Sequence, residues 1–236
     1  MSALGTPHLH LRATSSTSDR ARTLAQAGAP HGTLVTASAQ SAGRGRQGRS
    51  WSAPSGSSLL MSVVLRDPPD LLPLAAGVAV ARVCGEGSLI KWPNDVLLGD
   101  RKVAGILAEG RPQEGWAVLG IGVNVALDVG DLPPELHATA VTLGLTPADI
   151  PGVLGRLLRE LETTLALDDA TLLAAYRDLD GLRGRPITWT GGAGIAAGID
   201  GSGRLVVDLD GGGQTALEAG EVHLGPARGA GKGSTS

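Results

Sequence analysis

The 236-residue chain has no phenylalanine, one tyrosine and one cysteine. A single cysteine, Cys84, excludes an intrachain disulfide framework and a cysteine-rich zinc site. No apolar run approaches the ~18–20 residues of a membrane-spanning helix, and the N-terminus lacks a basic segment followed by an apolar one. These absences predict a soluble, cytoplasmic protein with no membrane partner. Lysine and asparagine are nearly missing. Three lysines (Lys91, Lys102 and Lys232) stand against 17 arginines, and the asparagines are Asn94 and Asn124. A GC-rich coding background produces that bias, which makes each surviving lysine or asparagine a position to question. The net charge of −3 argues against a generic polyanion binder.

What is present is ordinary globular composition, 42% hydrophobic and 18% charged. Apolar patterning predicts strands over 9–13, 33–37 and 58–65. Helices are expected over 18–27, with Ser18 as N-cap, and over 71–84. Short apolar runs at 89–92, 96–98, 103–108 and 116–125, split by turn signals such as Gly99-Asp100, predict a mostly antiparallel sheet. The period then changes. Val153, Leu154, Leu157, Leu158, Leu161 and Leu165 form one helical stripe, read as core, and 170–179 follows as a second helix. After Gly181, five strand-sized runs are separated by Gly191-Gly192, Asp200-Gly201 and Asp210-Gly211, the pattern of a small β-barrel. The expected fold class is α+β, a mixed, mostly antiparallel sheet with flanking helices over 1–181. A C-terminal barrel over 182–226 and a flexible tail over 227–236 complete it. His8 and His10 fall in an expected frayed N-terminus, not a metal site. Cys84, Trp116 and Trp189 read as packing residues.

Three segments carry chemistry. Gly43-Arg44-Gly45-Arg46-Gln47-Gly48-Arg49-Ser50-Trp51 lies in a long polar loop over 41–54. Its glycines permit close backbone approach, its guanidiniums suit phosphate or carboxylate, and its indole can stack on a base. No Gly-Lys-Ser/Thr follows, so it is not a P-loop. By itself it reads equally as an arginine-rich surface loop or a nucleic-acid contact. Lys91-Trp92-Pro93-Asn94-Asp95 and the run from Arg101 to Glu109 place polar residues within apolar strands. Each read singly is a hairpin with surface lysines. Gly120-Ile121-Gly122-Val123-Asn124 weakens a strand with glycine, the mark of a close ligand or backbone.

Taken together, these segments resemble the bacterial biotin–protein ligases in order and spacing. Ser16-Thr17-Ser18, Gln40, the 43–51 loop, 91–95, 102–109 and 120–125 carry the resemblance. It covers about 9–179, and the C-terminal strands fit the family's SH3-like barrel. The resemblance implies a class II synthetase-like catalytic domain that joins biotin to ATP, giving biotinyl-5′-AMP and pyrophosphate. The biotinyl group then passes to one lysine of a carrier domain of a biotin-dependent carboxylase. ATP and biotin are implied as substrates, with Mg²⁺ on the polyphosphate. Lys102 and Arg44 are implied at the biotin carboxylate and α-phosphate, and Asp95 at the acceptor lysine. Ser16, Thr17, Ser18, Gln40, Gly43, Arg44, Gly45, Arg46, Lys102, Gly105 and Gly120 are implied around biotin. Arg46, Arg49, Trp51, Asn94 and Asn124 are implied around ATP. No protein-held metal is implied. One departure is that the family usually has Asn where Ser18 stands.

The resemblance leaves a rival, a lipoate or octanoate ligase or transferase of the same superfamily. The 43–51 loop and 91–95 favour biotin. A biotin-responsive repressor is the second rival. The first motif begins by Ser16, leaving no room for a DNA-binding domain, so no sequence-specific DNA binding is expected. A non-enzymatic Arg/Gly nucleic-acid binder leaves Lys102, Asn94, Asn124 and Gln40 unexplained. Monomer and edge-strand homodimer both stay open.

Overall fold

A computed structural model describes residues 4–111, 114–218, 220 and 222–224. The tail expected over 227–236 lies outside the described residues. The first sheet has seven strands: β1 His8–Leu11, β2 Leu34–Ala37, β5 Ser58–Arg66, β6 Ser88–Lys91, β7 Asp95–Leu98, β8 Arg101–Arg111 and β9 Trp116–Asn124. Their order is β1-β2-β5-β9-β8-β7-β6. Only the β1–β2 pair is parallel, which matches the mixed, mostly antiparallel expectation. Between β2 and β5, β3 Gly43–Arg44 pairs with β4 Ser50–Trp51 in a small hairpin. The long loop read from sequence therefore closes on itself.

Strand parity assigns the two faces of the sheet. On β5 and β9, Leu59, Met61, Val63, Leu65, Leu119, Ile121 and Val123 join the main core. Helices α2 Leu72–Cys84, α3 Ile150–Leu165 and α4 Asp169–Asp178 contribute to the same cluster. Helix α2 is apolar nearly all round because α3 covers the side the sheet does not. The stripe expected on α3 is core, with Val153, Leu157 and Leu161 fully buried. Cys84 is a small hydrophobe at the end of α2, its thiol pushed up to about 12 by burial.

The opposite face carries α1 Thr17–Gln26, whose Ala21 and Ala25 pack on Val35, Val64, Trp116 and Val118. Ser16, not Ser18, caps this helix by accepting from the Asp19 N–H. Ser18 lies two residues further on, inside the first turn, and is buried. The cap belongs to the residue whose backbone is still extended, and Ser16 has φ −156° and ψ 134°. At the other end, the Arg66 guanidinium donates to the Ala25 and Ala29 carbonyls at 2.9 and 2.6 Å. His8 and His10 stand in β1 rather than in a frayed terminus, both rings bonded to the Thr36 hydroxyl. Pairing with β2 orders them.

β10 Pro186–Trp189, β11 Gly192–Ile199, β12 Leu205–Leu209, β13 Gln214–Leu217 and β14 Val222–Leu224 form a second, antiparallel sheet, order β13-β12-β11-β10-β14. The five expected strands are there, but β13 and β14 remain edges among the described residues, so the ladder does not close into a barrel. This sheet shares the main core through Ile187, Ile199, Leu205 and Val207. The buried indole of Trp92 reaches it, donating to the Gly203 carbonyl at 3.1 Å. No described helix is long and apolar enough to cross a membrane.

Candidate active site

The α1 face of β5, β8 and β9 is the floor of a cleft of about 500 Å³. Register places Asp95 opposite Gly105, Gly105 opposite Gly122 and Gly122 opposite Leu60, one row across four strands. The next row runs Leu107, Gly120, Ser62. The glycines remove side chains from the middle of both rows. The Trp51 indole fills the space over Gly105 and Gly122. A Cβ at Gly122 would lie 2.5 Å from Trp51 Cε2, and one at Gly105 2.7 Å from Cζ3. The β3–β4 hairpin thus folds back onto a seat only glycine leaves flat. Trp51 Nε1 is buried there without a hydrogen-bond partner.

Lys102 reaches the cleft because of a β-bulge. Val96 pairs with Ala104 and Leu97 with Lys102, so Val103 is skipped. Alternation from Gly105 and Leu107 would otherwise aim Val103 at the cleft and Lys102 into the core. With the bulge, Val103 is fully buried in the core and Lys102 lines the cleft. Its backbone is held by the 139–141 segment, with Lys102 N–H on the Thr139 carbonyl at 2.6 Å. Its ammonium stands 2.6 Å from Asp95 Oδ1, a charge contact rather than an aligned hydrogen bond. It also sits 5.5 Å from the Trp51 ring centre.

At the other end the lining is neutral and polar. Gln40 Oε1 accepts from the Thr17 N–H at 2.7 Å and from its hydroxyl at 3.1 Å. That leaves the Thr17 oxygen to accept from Ser62, and Ser62 to accept from Ser18, at 2.9 and 3.1 Å. The same bonds orient the Gln40 amide nitrogen toward Gly43. Ser62 was not singled out from sequence. Its signal is a hydroxyl that interrupts the apolar run of residues 59–65, on the strand face away from the core. Ser18 fills the space over Gly120, where a Cβ would lie 2.7 Å from its hydroxyl.

The sequence-selected residues separate into groups. Thr17, Ser18, Gln40, Arg44, Gly45, Arg46, Arg49, Trp51, Asn94, Asp95, Lys102, Gly105 and Gly120 line one cleft. Ser16, Gly43 and Asn124 do not line it. Ser16 caps α1, and Gly43 packs under the Trp51 carbonyl and the Gln40 amide. Asn124 donates to the Val141 carbonyl at 3.0 Å, bracing the segment that holds Lys102. Asn94 donates to the Ile106 carbonyl at 3.0 Å and accepts from Arg46 Nη1 at 3.4 Å. The Arg44 guanidinium is bonded to Asp19 and Glu109. His223 and Leu224 bring the second sheet to the rim, where Arg185 pairs with Asp100 at 2.8 Å.

No group of three or more His, Cys, Asp or Glu side chains suited to a metal occurs among the described residues. The cleft carboxylates, Asp95 and Asp100, suit a Mg²⁺ carried in on a polyphosphate, which needs one or two protein oxygens.

Residues 11–126 match the biotin/lipoate A/B protein ligase family. The chain is 38% identical over 216 residues to biotin–[acetyl-CoA-carboxylase] ligase of Mycobacterium tuberculosis, covering 82% of this chain and 79% of that protein. It is 41% identical over 143 residues to the bifunctional ligase/repressor BirA of Bacillus subtilis, 55% of this chain, and there it spans only 43% of the relative's length. The fold is similar to the biotin protein ligase from Aquifex aeolicus in complex with biotin and ATP. The TM-score is 0.81 at 25% identity, covering 93% of this chain and all of that one. The chain belongs to the biotin/lipoate A/B protein ligase family.

Proposed function

We propose that the protein is an ATP-dependent biotin–protein ligase that acts through biotinyl-5′-AMP. The carrying observation is the set of groups gathered in one glycine-floored cleft. A neutral polar group (Thr17, Ser18, Gln40), the Lys102–Asp95 pair, the Trp51 indole and the hairpin arginines line it together. That set suits a neutral ring head, a carboxylate and a nucleotide. Its volume falls within the ~300–1,000 Å³ typical of ligand sites.

In the first step a biotin carboxylate oxygen attacks the α-phosphorus. The bond from phosphorus to the oxygen bridging to the β-phosphate breaks, and pyrophosphate leaves. Two anions must meet, so a fixed cation at the junction lowers the barrier. Lys102 takes that role, with Arg44 bonded to Asp19 and Glu109 in the same cleft. Arg46 and Arg49 face the phosphates, with Asn94 holding Arg46. Trp51 covers the adenine, and Asn124 acts by bracing the Lys102 backbone. Mg²⁺, when bound, neutralises the polyphosphate.

In the second step an acceptor lysine attacks the acyl carbon, an amide forms and AMP leaves. The amine must be neutral, against an ordinary pKa of ~10.4. Asp95, released when Lys102 turns to the phosphate, accepts its proton. The acceptor is a carrier domain of a biotin-dependent carboxylase, which with ATP as substrate gives a cytoplasmic setting. Residues up to about 181 form the catalytic part, and the second sheet forms one wall. Membrane and sequence-specific DNA play no part in this reading.

ATP–pyrophosphate exchange tests it. Exchange driven by biotin, and not by lipoate or octanoate, is the expected result. Exchange driven by lipoate but not biotin would overturn it in favour of the lipoate reading.

A further inference from the structure

A closed ring of four charges lies at the neutral end of the cleft. Arg44 Nη1 donates to Asp19 Oδ1 at 2.8 Å and Nη2 to Glu109 Oε1 at 2.9 Å. Arg22 bonds the same two carboxylates, Nη1 to Asp19 Oδ1 at 3.1 Å and Nη2 to Glu109 Oε2 at 2.6 Å. Each carboxylate is shared by two guanidiniums, so the ring is charge-balanced. It joins three elements: Asp19 and Arg22 from α1, Glu109 from β8 and Arg44 from the hairpin. Parity places Glu109 here, two residues beyond Leu107 on the cleft face of β8. Single exposed ion pairs contribute little. Four contacts closing one ring, with both guanidiniums bridging, act as a unit.

We propose that Asp19 and Glu109 are positioning residues that act through Arg44. They latch the first strand of the hairpin over the Thr17–Ser18–Gln40 end of the cleft, and Arg22 holds the two carboxylates in place. This rests on the reading of that end as the pocket for the ring head of biotin. The latch sets how long biotin stays bound and leaves the chemistry at Lys102 untouched. The competing arrangement has Arg44 as the direct partner of the biotin carboxylate, with Asp19 and Glu109 withholding it.

The double variant Asp19→Asn/Glu109→Gln in the full chain separates these arrangements. In the ligand-free protein, amide hydrogen exchange over 43–51 is expected to speed up by about tenfold, the scale of a coupled side-chain network. Biotin dissociation and the KM for biotin are expected to rise by about the same factor, with the kcat of adenylate formation within about twofold. Glu109→Asp, which keeps the charge, should restore most of the slow exchange and the low KM. Unchanged exchange over 43–51, tighter biotin binding, or an equal loss of kcat and thermal stability with no change in KM would each overturn the latch. A wild-type protein that binds no biotin would overturn the functional reading instead, while the ligand-free exchange rates would still decide the latch.

Discussion

The two faces of β5, β8 and β9 are built from alternate residues of the same strands, and they do opposite work. Leu119, Ile121 and Val123 face α2 and α3 and are almost wholly buried. Gly120, Gly122 and Asn124, their immediate neighbours, carry hardly any apolar side chain. Packing fills the first face, so volume is what it conserves. The second face is emptied by glycine and lined by groups that contact one another: Trp51 on its seat, Lys102 with Asp95, Arg44 with Asp19 and Glu109. The lesson is that stability and chemistry are separated here by parity, one residue apart.

That separation can be broken from either side. The largest effect is expected from Leu119→Ala, which empties a fully buried site on the core face. Unfolding free energy should fall by about 2–5 kcal/mol in denaturant melts, with activity per folded molecule retained. Lys102→Ala should do the reverse. Biotin-dependent pyrophosphate exchange is expected to drop about 10²–10³-fold, while the melting temperature moves little because its ion pair is partly exposed.

Gly122→Ala tests the seat itself. Its methyl would collide with the Trp51 ring, so indole fluorescence should change and ATP affinity should weaken by about 1–3 kcal/mol, the scale of base stacking. Unchanged fluorescence would mean that Trp51 does not rest there. The smallest effect concerns Asp180, which lies between the sheets and belongs to neither face. Burial raises its carboxyl above the ordinary range, and its Oδ2 has no partner. A raised acid binds its proton more tightly when folded, so stability is lost as pH climbs from the ordinary carboxylate range through the raised value. Asp180→Asn should remove that loss, giving a higher melting temperature at pH 7 and little change near pH 4.

Much of this was legible in the sequence. Lysine and asparagine are so scarce that Lys102, Asn94 and Asn124 stood out, and the 43–51 loop, 91–95 and 120–125 named their neighbours. Strand-sized runs gave both sheets, and the leucine stripe gave α3. What escaped depends on partners distant in the chain. The bulge that aims Lys102 is set by pairing with β7, not by its own run. Ser62 gains its meaning only when α1 lands on β5. The Arg44 contacts need Asp19 and Glu109, which are 25 and 65 residues away. Ser16 and Ser18 are equal cap formers by residue type, and only the backbone at Ser16 decides between them. The role expected for Asn124 shifted likewise, because the 139–141 segment returns to its side.

The most direct test is a crystal structure of the protein soaked with biotin and ATP. The expected result is an adenylate on the glycine face. Its ring head would lie against Thr17, Ser18 and Gln40, its acyl phosphate against Lys102 and its base against Trp51. Ligand density elsewhere, or none in crystals whose cleft is open to solvent, would contradict the division of labour between the two faces.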